Sequence, residues 1–326
     1  MGVNIEGFMS ATIVSNDVQE LVTRLRRSIE SVFFGKTETV TQAMIGLLNG
    51  GHILIEDVPG VGKTVLGRAL ARSIGCSFSR LQLTPDMLPS DILGVSIYND
   101  KTGNFEFKRG PIFANIVLAD EINRTTPRTQ SALLEAMNEA QVSVDGETIR
   151  LERPFLVIAT QNPFDFEGTY FLPENQLDRF MLRIRIGYPG RDHERRILQE
   201  SPGQTTLERL QPVMHAADVI ALQDEVRRVK VDDRLVNYIL DLVEATRGNN
   251  HLQVGVSPRG ALSLRCASQA AALLDGRDYV VPDDIKSLVV PVFAHRVVTK
   301  SYLHNGDAGG AEALLEDTRD RVAVPA

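Results

Sequence analysis

A glycine-rich turn set between an apolar run and a helical repeat constrains this chain more than any other stretch. The apolar run His52 to Glu56 predicts a buried strand. Residues 59–64, PGVGKT, follow it, and Leu66, Leu70 and Ile74 then recur every fourth position, which predicts a helix. Consecutive backbone N–H groups in such a turn point inward, and the helix start adds the positive end of its dipole. The pattern therefore predicts a strand, loop and helix that together hold a polyphosphate.

Each position of the turn has an expected task. Gly60 and Gly62 let the backbone bend, Lys63 would reach the β- and γ-phosphates, and Thr64 would ligate Mg²⁺. The match to G-x-x-x-x-G-K-S/T is imperfect, because Asp57 stands where the first glycine is expected. An ordinary strand-turn-helix is the alternative, but the strand and helix flank the turn on the sides that this motif requires. The residues expected to contact a nucleotide here are Pro59, Gly60, Val61, Gly62, Lys63, Thr64 and Val65.

Composition bounds the class of protein. The 326 residues exceed the usual size of one core, so two domains are expected. Acidic residues number 42 against 35 basic ones, the net charge is −7 and no long basic block occurs, so nucleic acid is not the default partner. The lack of a membrane-spanning apolar run and of a signal-peptide pattern predicts a cytoplasmic protein without a membrane span. Cys76 and Cys266 are predicted to be buried free thiols.

Carboxylates and an amide follow two further predicted strands. Asn115 to Ala119 predicts a strand that ends in Asp120 and Glu121. In an open α/β sheet such a pair lies beside the phosphate loop, where Asp120 could hold Mg²⁺ and Glu121 could polarise the attacking water. The alternative is a pair that caps the next helix. Asn162, after a fourth strand at 155–160, could accept from this water and donate to the γ-phosphate. An ordinary turn of Asn before Pro is the alternative.

The chain also carries excursions and a change of pattern. Residues 95–107 and 142–149 predict hairpins, and two more strands are expected at 78–83 and 181–186. The first hairpin is either decoration or a working loop, and its length as an insertion favours a working loop. The Tyr188-Pro189-Gly190 stretch breaks the pattern and marks a domain boundary. We therefore expect a nucleotide-binding domain at 1–189 with inserts near 84–110 and 141–151, a helical domain at 190–300, and a tail at 301–326 that is loose apart from a helical patch at 312–317.

Three isolated candidates have two interpretations each. The turn containing Phe34 and Gly35 could flank an adenine ring or simply pack in the core at a helix end. Arg179 could be a solvated surface arginine, which spacing alone favours, or a guanidinium offered to a neighbouring subunit's γ-phosphate. Arg259, in the first turn of its helix, could swing toward a bound nucleotide or could simply be exposed.

Together these strings resemble the AAA+ ATPases, and within them the MoxR family, over roughly residues 18–300. The matching strings are EDVPGVGKT (56–64), LTPDMLPSDILG (83–94), GPIFANIVLADEINR (110–124), TQSALLEAMNE (129–139), VDGETI (144–149), IATQNP (158–163) and EGTYFLPENQLDRF (167–180). An acidic residue at position 57 is similar to the MoxR form of the phosphate-loop motif.

The resemblance implies roles for individual residues. Lys63 and Thr64 match its Walker A, Asp120 and Glu121 its Walker B, and Asn162 its first sensor. The two arginines also match, Arg179 an arginine finger that acts in trans and Arg259 a second sensor on the helical lid. The two hairpins resemble the helix-two insert and the hairpin before the first sensor. The implied fold is α/β, with a five-stranded parallel sheet in the order 5-1-4-3-2 and a C-terminal all-α lid.

The function implied is that of a Mg²⁺-dependent ATPase that binds ATP, assembles into a ring, expected to be a hexamer, and remodels or matures a client complex. Metal or cofactor insertion and a von Willebrand factor A domain co-worker belong to the same expectation. A nucleic-acid translocase with pore lysines such as Lys101 and Lys108 is one alternative. A nucleotide-gated scaffold with little turnover is another.

Overall fold

A five-stranded parallel sheet forms the centre of the computed structural model, which describes residues 16–162, 170–200, 207–300 and 309–325. Its strands are β1 (His52–Glu56), β2 (Phe78–Gln82), β5 (Ile116–Asp120), β8 (Leu156–Gln161) and β9 (Phe180–Ile184). They lie in the order β2-β5-β8-β1-β9, and all four pairings are parallel. Numbered as five strands along the chain, this order reads 5-1-4-3-2, so the predicted topology is confirmed. Strand ends differ from the predicted ones by one or two residues.

Alternating side chains of the sheet enter two different apolar cores. On β1, Ile53 and Ile55 join one core while Leu54 joins the other. β5 and β8 divide their residues in the same way, because successive side chains of a strand point to opposite faces. Both faces are covered, which explains why these strands are apolar throughout rather than alternating with polar residues.

The helices of the sheet domain cover these two faces. The helices are α1 (Asn16–Glu30), α2 (Thr37–Asn49), α3 (Lys63–Ser73), α4 (Pro89–Leu93), α5 (Pro127–Glu139) and α6 (Glu174–Leu177). Residues of α1, α2 and α3 belong to the first core, and those of α4 and α5 belong to the second. Thr126 caps α5 by accepting a hydrogen bond from the Thr129 N–H, as the Thr-Pro start of that helix predicts.

Both predicted hairpins form separate two-stranded sheets. β3 (Gly94–Asn99) pairs with β4 (Asn104–Arg109), and β6 (Gln141–Val144) pairs with β7 (Glu147–Arg150). The first hairpin carries an exposed aromatic pair, Tyr98 and Phe105, whose rings meet edge to face with centroids 5.3 Å apart. The hairpins therefore project from the sheet rather than extend it.

The second domain is helical, as predicted, and adds one short antiparallel ribbon. It comprises α7 (Arg191–Glu200), α8 (Ala216–Arg228), α9 (Asp233–Arg247), α10 (Pro258–Leu274) and α11 (Pro282–Phe293), with β10 (Leu252–Val254) and β11 (Val298–Thr299). α8 and α10 pack against α2, and α11 packs against β9. This domain therefore lies beside α2 and the β9 edge of the sheet.

The final helix differs from expectation. The sequence predicts a loose tail with a short helical patch at 312–317, but residues 309–321 form one helix, α12 (Gly309–Arg321). It packs against α9 and α11 with Leu315 fully buried, so tertiary contacts extend it beyond its weak local pattern. Residues 301–308 of the predicted loose tail lie outside the described residues.

Two smaller expectations can also be compared with the structure. Cys76 and Cys266 are free, as predicted, but half-buried rather than buried, and burial raises the pKa of both thiols.

Within the described ranges, none of the helices is both long and apolar enough to cross a lipid bilayer.

Candidate active site

The phosphate loop has the open, left-handed geometry that its glycines predict. Gly60 and Gly62 have φ values of 86° and 99°, in the region that L side chains rarely adopt. A Cβ built on Gly60 would meet nothing within 4 Å, so the space beside the loop is free for a ligand. At Gly62 a Cβ would come within 3.1 Å of the Phe33 ring, which limits this position to glycine. α3 begins immediately afterwards at Lys63, so its amino end faces the loop.

Asp57, the departure from the motif, has a structural task. Its Oδ2 accepts the backbone N–H groups of Ile186 and Gly187 at 2.7 and 2.6 Å, and its Oδ1 accepts that of Val58 at 2.8 Å. Asp57 is not among the residues with positive φ, so the conformation that would require glycine is absent at this position. The carboxylate thus ties the start of the phosphate loop to the segment that leads from the sheet into the helical domain.

Lys63 connects the loop to the carboxylate pair. Its Nζ donates to the Asp57 carbonyl at 2.6 Å. Burial lowers the pKa of Lys63, and the carboxylates of Asp57, Asp120 and Glu121 oppose that shift. The ammonium group therefore lies within electrostatic reach of both predicted Walker B residues.

Asp120 is held in place by two partners at the end of β5. Its Oδ1 accepts from the Thr160 hydroxyl at 3.2 Å, and its Oδ2 accepts from Arg80 Nε at 2.6 Å. The side chain is 10% exposed, whereas that of Arg80 is 48% exposed. Arg80 lies on β2 and Thr160 on β8, the two neighbours of β5 in the sheet. The carboxylate is therefore oriented from both sides.

Glu121 has a backbone conformation that is unusual for a non-glycine residue. Its φ and ψ are 59° and 52°, and its N–H donates to the Thr160 hydroxyl at 3.0 Å. The carboxylate accepts from Gln82 Nε2 at 3.1 Å and lies 3.3 Å from Arg124 Nε. Such strain in a non-glycine residue occurs most often at functional sites. The two neighbouring carboxylates consequently have different side-chain partners.

Asn162 and Thr64 complete the group at this edge of the sheet. Asn162 follows β8 directly, and Thr64 is the second residue of α3, so both lie where the strands end. The Thr64 hydroxyl and the Asp120 carboxylate are oxygen ligands of the kind that Mg²⁺ prefers, next to an unobstructed phosphate loop. The donor set therefore fits a magnesium ion bound together with a nucleotide.

The predicted adenine turn is close to the loop but already packed. Phe34 is buried, and the Arg196 guanidinium lies over its ring at 3.9 Å from the centroid. Gly35 has a positive φ, and a Cβ there would overlap the His193 ring. α7 of the helical domain thus covers this turn. Both the core-packing interpretation and a role beside a base agree with this position.

Arg179 and Arg259 lie at the opposite edge of the sheet, where the strands begin. Arg179 precedes β9 and donates to the Leu134 carbonyl at 2.8 Å, while Arg259 donates to Asn138 Oδ1 at 2.8 Å. Both acceptor groups belong to α5. The two arginines also line one cavity of about 320 Å³, together with His52 at the start of β1. Five residues of β1, about 13 Å of strand, separate this edge from the phosphate loop. The structure brings the two arginines together but not to the phosphate loop of the same chain.

Several residues of the site are missed by sequence reasoning. Thr160, Arg80 and Gln82 hold the carboxylate pair, yet each reads as an ordinary strand residue. Asp178 and Arg296 support the arginine edge through an ion pair of 2.7 Å. A polar residue at or next to the carboxyl end of a sheet strand, such as Thr160 or Gln82, is the signal that could have indicated the residues that hold the carboxylate pair.

Comparisons with known proteins agree with this geometry. Residues 52–182 match the ATPase family associated with various cellular activities (AAA), and residues 244–318 match the AAA lid domain. A crystal structure from Cytophaga hutchinsonii, described there as a candidate ATPase, superimposes with a TM-score of 0.87 at 36% identity and covers 95% of this chain and 96% of that one.

Relatives by sequence cover nearly the whole chain. The uncharacterized protein YeaC of Bacillus subtilis (strain 168) is 50% identical over 312 residues, which cover 95% of this chain and 96% of YeaC. Chaperone MoxR1 of Mycobacterium tuberculosis (strain ATCC 25618 / H37Rv) is 39% identical over 306 residues, 91% of this chain and 80% of that protein. Protein MoxR of Paracoccus denitrificans is 29% identical over 324 residues, 92% and 95% of the two chains. The chain therefore belongs to the MoxR family of AAA+ ATPases.

Proposed function

We propose that this ATPase requires Mg²⁺, assembles head to tail into a ring, and completes each active site with arginines from the adjacent subunit. The observation that carries the proposal is the position of Arg179 and Arg259, which lie about one strand length from their own phosphate loop. Repeating a head-to-tail contact would set this edge of one subunit against the nucleotide of the next. The resemblance to AAA+ ATPases suggests a hexamer.

Within one subunit, each residue near the phosphate loop has a distinct role in the proposed reaction. Lys63 and the N–H groups of the loop would bind the β- and γ-phosphates, and Glu121 would accept a hydrogen bond from the attacking water. Asn162 would hold that water against the γ-phosphate. Mg²⁺, held by Thr64 and Asp120, would neutralise charge on the phosphates. Thr160 would keep both carboxylates in position, since its hydroxyl contacts both residues.

Two variants test the catalytic assignments. Glu121→Gln keeps the shape and binding groups of the site but removes the carboxylate, so it should bind ATP and stall. Arg179→Ala should bind ATP with unchanged affinity and lose turnover by about 10³-fold or more, because such fingers contribute that much in related phosphoryl-transfer sites. Nucleotide affinity measured by calorimetry and steady-state hydrolysis separate the two effects. Full activity of Arg179→Ala would remove the role in trans.

We further propose that hydrolysis moves the helical domain against the sheet domain and remodels a client protein complex. One relative bears the name chaperone MoxR1, and Asp57 joins the phosphate loop to the segment that enters the helical domain. Metal or cofactor insertion, with a von Willebrand factor A domain co-worker, is the specific form of this proposal. Capture of partners on the Glu121→Gln form with ATP tests it. Phe105→Ala, which removes a side chain that is 73% exposed, should leave basal hydrolysis unchanged and weaken capture if the hairpin contacts the client.

A nucleic-acid motor is a second candidate because of one surface. The β3–β4 hairpin exposes Tyr98 and Phe105 on the same element as Lys101 and Lys108, and aromatic rings with nearby cations bind single strands. The net charge of −7 weighs against this function. Stimulation of hydrolysis by single-stranded DNA, falling steeply with salt, would favour it over the client-remodelling role.

A further inference from the structure

A partly buried polar cluster adjoins the two arginines, and Arg296 is its fully buried member. It consists of Asp178, Ser257 and Arg296, which we call the clamp. Asp178 Oδ1 accepts from Arg296 Nε at 2.7 Å, and Asp178 Oδ2 accepts from the Ser257 hydroxyl at 3.1 Å. The Arg296 side chain is 1% exposed. The clamp therefore joins the sheet domain, through Asp178, to two separate parts of the helical domain.

Each clamp residue either lies close to one of the two arginines in the chain or bonds to β9. Asp178 immediately precedes Arg179, and Ser257 lies two residues before Arg259 and caps α10 by accepting from the Gly260 N–H. Arg296 also donates to the carbonyls of Phe180, Met181 and Val292 and to the Ser263 hydroxyl. The first residues of β9 and the start of α10 are thus fixed relative to each other.

The outer ends of the arginines are held to one helix. Arg179 and Arg259 bond to the Leu134 carbonyl and to the Asn138 side chain, four positions apart on α5. Residues four apart lie on the same face of a helix, so the two guanidinium groups reach the same surface. The two arginines are therefore held by α5 at their guanidinium groups and by the clamp near their backbones.

The buried ion pair of the clamp is better suited to fixing the positions of its neighbours than to raising the stability of the fold. Burial lowers the pKa of Arg296 to about 10, while Asp178 opposes this shift, so the guanidinium remains charged at neutral pH. Apolar residues could fill such a site with equal or greater stability, because the desolvation of two charges offsets most of their attraction. A guanidinium with several directional hydrogen bonds instead permits one arrangement of the elements around it.

We propose that Asp178, Ser257 and Arg296 are positioning residues that present Arg179 and Arg259 as one rigid unit to the nucleotide of the neighbouring subunit. This inference rests on the proposed action in trans. Loosening the clamp should lower the turnover number and leave ATP affinity unchanged, because the clamp lies at the opposite edge from the phosphate loop of its own chain. A misplacement of about 1 Å can cost about 100-fold in rate.

The mildest test is the removal of one hydroxyl. Ser257→Ala should lower the turnover number about 10- to 100-fold with unchanged ATP affinity. Ser257→Thr, which restores a hydroxyl at the cap, should recover most of the activity. Asp232→Ala is the matched control, since Asp232 caps α9 of the same domain by accepting from the Arg234 N–H but lies outside the clamp. It should lose comparable stability and keep its turnover number. Equal effects of Ser257→Ala and Asp232→Ala would overturn the proposal.

Mixed assemblies decide in which subunit the clamp acts. Asp178→Asn subunits keep an intact phosphate loop, and Lys63→Ala subunits keep intact arginines, so co-expressed mixtures of the two should recover hydrolysis above that of either protein alone. Recovery supports the clamp, and absence of recovery, with both proteins folded and assembled, overturns it. Arg179→Ala mixed with Lys63→Ala is the reference for action in trans. If that reference mixture recovers and the Asp178→Asn mixture does not, the clamp fails while the proposed function stands; if Arg179→Ala alone is fully active, the proposed function itself fails.

Discussion

At the scale of single residues, Asp57 shows how a departure from a motif can be stabilising. Replacing it with the glycine of the general motif, Asp57→Gly, would leave the N–H groups of Ile186 and Gly187 without their acceptor. We expect a loss of about 1–3 kcal/mol in the free energy of unfolding, measured by denaturant titration. Asp57→Asn retains one carbonyl oxygen for these donors and should lose less. A Gly variant as stable as the parent protein would contradict the assignment.

His52 gives a prediction about pH. Its Nε2 lies 2.8 Å from the Met137 carbonyl, and the Val157 N–H donates to its Nδ1 at 3.0 Å, so the neutral ring is fully bonded. Burial lowers the pKa of His52 from 6.5 to about 4, with the Met137 hydrogen bond opposing and the charge of Arg259 adding to the shift. Above pH 6.5 the stabilisation is complete. As the pH falls from 6.5 to 4, His52 binds a proton in the unfolded chain but stays neutral in the folded chain. The free energy of unfolding therefore decreases by on the order of 3 kcal/mol.

The measurement for His52 is the slope of unfolding free energy against pH. His52→Gln should show a shallower slope between pH 6.5 and 4 than the parent protein, whatever its absolute stability. Part of the slope should remain in this variant, because burial and the neighbouring Arg296 also lower the pKa of His295. Identical slopes in the two proteins would show that His52 does not titrate in this way.

Some residues of the site could be predicted from the sequence and others could not. Lys63, Thr64, Asp120 and Asn162 follow strands or open a helix, and these positions alone bring them to one edge of a parallel sheet. The partners that orient them come from distant positions. Arg80 is 40 residues from Asp120, and Arg296 is 118 residues from Asp178, and no local periodicity connects such pairs.

At the scale of elements, the last helix is attached by charge as well as by apolar packing. Arg183 on β9 bonds to Glu56 and to Glu312 of α12, at 2.8 and 2.5 Å, and Arg185 bonds to the other oxygen of Glu312 at 2.9 Å. Glu56 also accepts from Gln161, the residue before Asn162. The network thus connects α12 to the end of β8, which Asn162 follows directly.

Removal of one charge from this network tests its importance. Among the described residues, Glu312→Gln leaves the buried Arg183 with Glu56 as its remaining carboxylate partner, so we expect a loss of about 1–2 kcal/mol in unfolding free energy. Arg185→Gln is the control, because the Arg185 side chain is 49% exposed and its pair should contribute less than about 1 kcal/mol. Denaturant unfolding of both variants gives the comparison. A larger loss for Arg185→Gln would contradict this ranking.

The elements themselves were largely predictable, with one instructive exception. The five strands and both hairpins have strong local signals, apolar runs and turn residues, and the structure confirms them. α12 has a weak pattern because Ala311 and Leu315 are its buried apolar side chains, among residues that are mostly small or charged. Its length is set by packing against α9 and α11, which no local property of the tail reveals.

At the scale of the whole molecule, the separation of phosphate loop and arginines predicts that activity depends on association. Turnover per subunit should rise with protein concentration and approach a plateau as assembly is completed. Sedimentation velocity at the same concentrations should show assembly rising in parallel. Arg179→Ala should assemble over the same range and remain inactive. Turnover independent of concentration, in a range where monomers predominate, would contradict completion of the site by a neighbour.

The position of the helical domain was not predictable from its own sequence. Its helices were expected, but the surface on which they dock belongs to α2, nine of whose thirteen residues are buried. The second half of α2 is a run of six residues without a polar side chain, 43–48, which must be covered on all sides, and this run was the available signal. The sheet covers one side and α8 and α10 cover the other, which carries Arg259 away from the phosphate loop of its own chain.

Because the two arginines and the phosphate loop lie at opposite edges of the sheet, the proposed head-to-tail assembly has an arithmetic consequence. A linear stack of such subunits always leaves one terminal phosphate loop facing solvent, so its number of complete centres is one fewer than its number of polypeptides. Joining the two ends creates the missing centre without any added protein. In the proposed ring, a gap opened or closed by a client would therefore inactivate or restore a single centre, while the other centres remain active.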